Sequence, residues 1–127
     1  MKILLIEPQQ CPKVIETSGA LSAMQTLVGG TIQALHPFHA PVALICHDEG
    51  KLLNLPPNRA LYHPETNECY DVVVGTFFLC GAPPNGDSFT GLTQEQIETY
   101  TARFWNPELF FYSNGKLNIV SLQGGDV

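Results

Sequence analysis

Residues 21–32 constrain the fold of this chain more than any others. An amphipathic segment, Leu21-Ser-Ala-Met24-Gln-Thr-Leu27-Val28, runs into the double glycine Gly29-Gly30 and then into a new apolar segment at Ile32. Leu21, Met24, Leu27 and Val28 recur at helical spacing, which predicts a helix over residues 20–28 with Ser18 as its N-cap. Gly29 stands where a left-handed helix C-cap requires a residue without Cβ. The double glycine follows a helix instead of preceding one, and no Gly-Lys-Ser/Thr comes after it, so it is not a phosphate-binding P-loop. The alternative to a pure cap is that the exposed amides of Gly29 and Gly30 contact a ligand.

At 127 residues the chain is expected to form one domain over residues 1–122, with a flexible tail over 123–127. Its 44% apolar content excludes a disordered chain. No apolar run approaches the roughly 20 residues of a membrane span. At the start, Glu7 and Pro8 end a short apolar run before a secretory core could form, which predicts a cytoplasmic protein. The four cysteines, Cys11, Cys46, Cys69 and Cys80, show no CxxC pair and are expected to be reduced. The net charge of −6, with only six scattered Lys and Arg, argues against broad nucleic-acid binding. It leaves room for one small anionic ligand held by one or two arginines and backbone amides.

The pattern along the chain predicts an α+β fold: a single compact domain with a mainly antiparallel sheet and two helices packed on one of its faces. Strands are expected over residues 2–7, 13–16, 31–35 and 42–46, the last a continuous apolar run suited to burial on both faces. Residues 48–51 read as a turn, and 52–68, with Pro56, Pro57 and Pro64, as an irregular loop. One long strand is expected over 70–80, with Gly75 as a bulge. Thr93 and Gln96 form a capping box for the second helix, and Leu92 with Ile97 a hydrophobic staple. Ile97, Tyr100 and Phe104 give that helix its apolar face, and Asn106-Pro107 stops it. Asn114-Gly115, between apolar runs over 109–112 and 116–121, is a hairpin signal.

Few residues suggest chemistry. His36, His39, His47 and Asp48 match no established zinc spacing, so no metal is expected. Asp48 and Glu49, like Glu65 and Glu68, fall in turns where carboxylates are ordinarily solvated, and no serine sits in a nucleophile elbow. No catalytic residue and no cofactor is therefore assigned. The segment Asn54-Leu-Pro56-Pro57-Asn58-Arg59-Ala60 is the strongest candidate contact surface: prolines stiffen it, Asn58 can hydrogen-bond, and the Arg59 fork suits phosphate or carboxylate. It equally fits a rigid turn whose arginine pairs with a nearby acid.

Three motifs carry a resemblance: Met24-Gln-x-Leu-Val-Gly-Gly-x-Ile32, Asn54-Leu-Pro-x-Asn58-Arg59-Ala60 and Gly75-Thr76-Phe77-Phe-x-Cys80-Gly81. Together they resemble a family of small proteins known only as a domain of unknown function, from gut firmicutes, their conjugative elements and phages, over about residues 1–120. The resemblance implies an accessory role and transfers no catalytic or binding residue. The leading expectation is a non-enzymatic binder that sequesters a nucleotide-like signal of host defence. Gly29, Gly30, Asn58, Arg59, Thr76 and Arg103 are its candidate contacts, and Phe77, Phe78, Phe110, Phe111 and Tyr112 could stack a base. The alternative is a module that inhibits or regulates a host protein through an acidic surface; a small hydrolase ranks last. A homodimer or higher homo-oligomer is expected to cover sheet edges.

Overall fold

The computed structural model describes residues 1–86 and 88–123. In chain order the elements are β1 (Lys2–Ile6), β2 (Lys13–Glu16), α1 (Leu21–Val28), β3 (Ile32–Leu35), β4 (Val42–His47), β5 (Pro57–Tyr62), β6 (Cys69–Val74), β7 (Phe77–Gly81), α2 (Gln94–Phe104), β8 (Glu108–Ser113) and β9 (Lys116–Ser121). A five-stranded sheet runs β2-β1-β7-β4-β3, and β5-β6 and β8-β9 form two further hairpins. Every pairing among the described residues is antiparallel. The α+β class and the mainly antiparallel architecture agree with the sequence. Residues 124–127 of the expected tail lie outside the described residues.

The placement of the helices differs from expectation. The central strands are apolar on both faces: Leu4, Ile6, Val42, Leu44, Phe77 and Leu79 belong to one core cluster, and Ile3, Leu5, Ala43, Ile45, Phe78 and Cys80 to the other. Alternate residues of a strand point to opposite faces, so a continuous apolar run needs a cover on each side. α1 supplies one cover through Met24 and Val28. α2 supplies the other through Ile97, Tyr100 and Phe104, helped by Leu61 of β5 and Val73 of β6. The helices thus lie on opposite faces of the sheet, not on one.

Local signals explain the helix ends. Gly29 adopts φ 85° and donates its N–H to the Gln25 carbonyl at 2.8 Å, the left-handed C-cap the sequence calls for. Ser18 does not cap α1: Ala20 occupies the N-cap position without a side-chain bond, and Ser18 Oγ accepts from the Ala20 N–H at 3.3 Å. The capping box of α2 is complete. Thr93 Oγ1 accepts from Gln96 N at 3.1 Å, and Gln96 Oε1 accepts from Thr93 N at 2.9 Å.

Two further corrections fall between residues 52 and 81. Part of the expected loop is β5, because Pro57 opens the strand, where a missing N–H is tolerated. The expected long strand is two strands in different sheets, separated at Gly75. Gly75 has φ 75°, and a Cβ there would come within 2.8 Å of Leu55 Cδ1, so this corner favours glycine and any side chain there is strained. The β8-β9 hairpin turns at Asn114 and Gly115, whose φ values of 52° and 76° match the twist of the flanking strands. Its outer face leaves Leu109, Phe111 and Val120 exposed.

Candidate functional site

The six residues expected to contact a ligand do not converge. Asn58 and Arg59 lie on β5 with 0% and 1% of their surface exposed. Asn58 Nδ2 donates to the carbonyls of Ile6 and Gly75, each at 2.9 Å. Its Oδ1 accepts from Arg59 Nη1 at 2.9 Å, and the Asn58 carbonyl accepts from the same nitrogen at 3.3 Å. Arg59 Nε and Nη2 both donate to the carbonyl of Phe104, at 3.2 and 3.0 Å, and Nη2 also reaches the Gln10 carbonyl at 2.6 Å.

Arg59 is therefore a structural cation. It sits at the C-terminal end of α2, where the helix dipole is negative and the last carbonyls lack helical partners. Burial lowers the guanidinium from its ordinary pKa, and neighbouring Glu108 pulls it back up. The expected role of Arg59 and Asn58 in gripping an anion is corrected on this ground: their polar atoms are spent on holding β1, β5, the Gly75 corner and α2 together.

The other candidates are scattered. Gly30 donates its N–H to Gln25 O at 3.0 Å and abuts the His47 ring, so neither amide of the double glycine is available to a ligand. Thr76 is half-buried between β6 and β7. Arg103 is exposed on α2, its guanidinium 4.9 Å from the centre of the Phe38 ring. The aromatic set is divided as well: Phe77 and Phe78 are wholly buried on opposite faces of the sheet, and Phe110, Phe111 and Tyr112 belong to the separate β8-β9 hairpin. They form no single platform for a base.

A cleft of about 400 Å³ lies where none of these residues is, between the β3 edge of the main sheet and β6. Gln33, His47, Asp48, Glu49, Lys51 and Asp71 supply its polar lining. The turn after β4 is held by its backbone: Asp48 N donates to Thr31 O at 2.9 Å, Leu53 N to Glu49 O at 2.9 Å, and Leu55 N to Gly50 O at 3.0 Å. His47 Nδ1 accepts from Glu49 N at 3.0 Å, which puts the proton of the neutral ring on Nε2. Lys51 Nζ pairs with Asp71 Oδ1, which also accepts from Val72 N at 2.8 Å. The carboxylates of Asp48 and Glu49 carry no such partner among the described residues and face solvent.

Cys46 lines the same cleft, but burial, reinforced by Asp71 and Asp48, raises its thiol pKa above the ordinary value. Cys80 is pushed up to about 12 by burial. Both remain protonated thiols at neutral pH, the inert form. No group of three or more His, Cys, Asp or Glu able to hold a metal occurs among the described residues. A second cleft of about 390 Å³, mostly apolar, separates Leu55, Pro57, Val72 and Val74 from Phe110, Tyr112 and Leu117 of the hairpin.

An α+β domain with helices on opposite faces of an antiparallel sheet, and an acidic cleft at one sheet edge, is the class that the fold and the site define. The chain belongs to the family described as "Domain of unknown function (DUF3846)", whose profile matches residues 1–105. The β8-β9 hairpin thus falls beyond the matched segment. No curated protein and no solved structure matches the chain. No helix among the described residues is long and apolar enough to cross a membrane. The cleft escapes a reading of the sequence because Gln33, Lys51 and Asp71 are far apart in the chain. The one sequence signal for it is His47-Asp48-Glu49 at the end of a buried strand.

Proposed function

We propose that this chain is a non-enzymatic interaction module whose cleft beside β3 receives a positively charged group of a partner protein. The observation that carries the reading is the sign of charge in the cleft. Asp48, Glu49 and Asp71 line it, and Lys51, its lysine, is already paired with Asp71. A phosphate placed there would meet the solvent-facing carboxylates of Asp48 and Glu49, a repulsion of about 1–4 kcal/mol for unit charges 4 Å apart near a protein surface. Arg59 offers no remedy, since turning it outward would strip the carbonyls of Gln10 and Phe104 of their donor. These points favour a protein partner over a nucleotide-like signal. The setting implied by the sequence resemblance, mobile elements and phages, suits a binder that acts on a host protein.

Titration of the isotope-labelled protein with a lysine-rich peptide and with a panel of nucleotides tests the reading. The peptide is expected to move the amide signals of Asp48, Glu49 and Asp71, and to bind more weakly as salt rises, because exposed charges are screened over about 8–10 Å at ordinary ionic strength. A nucleotide that moves those signals or raises the melting temperature, with no response to the peptide, would overturn it.

A further inference from the structure

We infer that the partner enters as an extended segment that adds a strand to the free edge of β3 and seats a lysine or arginine in the acidic cleft. This rests on the reading above and names its binding mode.

The two edges of the main sheet differ. β2 follows Pro12 and carries Lys13 and Glu16; Lys13 pairs with Glu7 at 2.9 Å, and the chain's amino group pairs with Glu16 at 3.4 Å. Charges and proline are the usual means of discouraging another strand from pairing. β3 reads Ile-Gln-Ala-Leu, with no charge, proline or bulge, and pairs only with β4 among the described residues.

Register shows which main-chain groups of β3 are open. Asp48 N donates to Thr31 O, and the ladder continues through Gln33↔Cys46 and Leu35↔Leu44. Antiparallel pairs alternate, so Thr31, Gln33 and Leu35 turn their main-chain groups toward β4, and Ile32 and Ala34 turn theirs outward. The side chains complete the pattern: Gln33 and Leu35 line the cleft, and Ile32 packs on the α1 side. Residues paired across neighbouring strands share a face. Every second residue of an added strand would then stand beside Gln33 or Leu35, within reach of Asp48, Glu49 and Asp71. Main-chain bonds would supply affinity and the cleft would select side chains, the division found wherever peptides extend a sheet. The carboxylate lining, on a chain of net charge −6, selects a basic side chain.

Two synthetic peptides, alternating valine with lysine or valine with glutamate, serve as probes. The lysine peptide is expected to protect the Ile32 and Ala34 amides from hydrogen exchange, and the glutamate peptide to bind at least about tenfold more weakly. Ala34→Pro removes one outward N–H and leaves the bonds to β4 in place, so it should fold and weaken the lysine peptide about tenfold or more. Hydrogen exchange on the parent chain tests the mode independently of that variant. Binding of the lysine peptide with no protection at Ile32 and Ala34, or undiminished in a folded Ala34→Pro, would overturn strand addition and leave the acidic-cleft reading standing. No binding by the parent would overturn both. Protection of Ile32 and Ala34 that grows with protein concentration, without peptide, would assign the edge to a second copy of the chain and overturn the proposal.

Discussion

Two cations of this protein, Arg59 and Lys51, sit beside carboxylates, and their surroundings give them opposite roles. Arg59 is buried, with carbonyls from three parts of the chain and the Asn58 side chain around it. Lys51 is exposed and holds one partner, Asp71, at the rim of an open cleft. Losing a buried group that satisfies several acceptors leaves each of them desolvated and unpaired, whereas water replaces a surface partner at little cost. A polar residue in this knot of hydrogen bonds around Asn58 and Arg59 therefore reads as fold, and one in the cleft as available for binding.

The largest test of this contrast is Arg59→Ala. It takes both Arg59 donors from the buried carbonyl of Phe104, releases the partly exposed carbonyl of Gln10, and removes the cation at the end of α2. We expect a loss of roughly 3–5 kcal/mol, read from chemical denaturation, in the range for breaking a buried charged network. Arg59→Lys should recover only part of it, since one ammonium cannot reproduce the fork that spans Phe104, Gln10 and Asn58. A fully stable Arg59→Ala protein would erase the distinction between knot and cleft.

The same contrast explains what was legible in the sequence. Elements with local signals were readable: the αL cap at Gly29, the capping box at Thr93 and Gln96, and the Asn114-Gly115 turn depend on residues a few positions apart. The continuous apolar run over 42–46 announced a strand buried on both faces, and that pattern already required covers on both sides of the sheet. Long-range matters were not readable. Nothing near Arg59 in sequence shows that Phe104, 45 residues on, will present a carbonyl to it. A proline-stiffened arginine looks alike whether it faces solvent or a helix end. Gly75 gave a local sign of a break, but whether it marks a bulge or a change of sheet depends on where β7 pairs.

Glu108 offers a smaller effect on the knot side. Its Oε1 accepts from Ala60 N at 2.7 Å at the base of the hairpin. Burial raises its pKa above the ordinary carboxylate value, outweighing the Ala60 N–H and Arg59, which lower it. A carboxyl whose folded pKa is raised contributes stability that is fully present below its unfolded pKa and is lost as pH rises through the folded one. Glu108→Gln keeps an oxygen for the Ala60 N–H and removes the ionisation. The variant should therefore gain on the parent as pH rises from about 4 toward neutrality, measured as the difference in denaturant midpoints. A difference that moves the other way would mean that attraction to Arg59 outweighs burial, and that the knot includes a true ion pair.

The smallest expected effect belongs to the cleft. The side chains of Asp48 and Glu49 are exposed, and the bonds that shape their turn come from main-chain N–H groups: Asp48 N to Thr31 O, and Glu49 N to His47 Nδ1. Asp48→Asn combined with Glu49→Gln should leave stability within about 0.5 kcal/mol of the parent, as for surface substitutions away from buried networks. The sign should lean toward stabilisation, because the change removes two like charges from a chain of net charge −6. A loss above about 1 kcal/mol would show that these carboxylates hold the turn as Arg59 holds the knot. With stability unchanged, any loss of peptide binding in the same variant reports the charge of the cleft directly, with no contribution from unfolding.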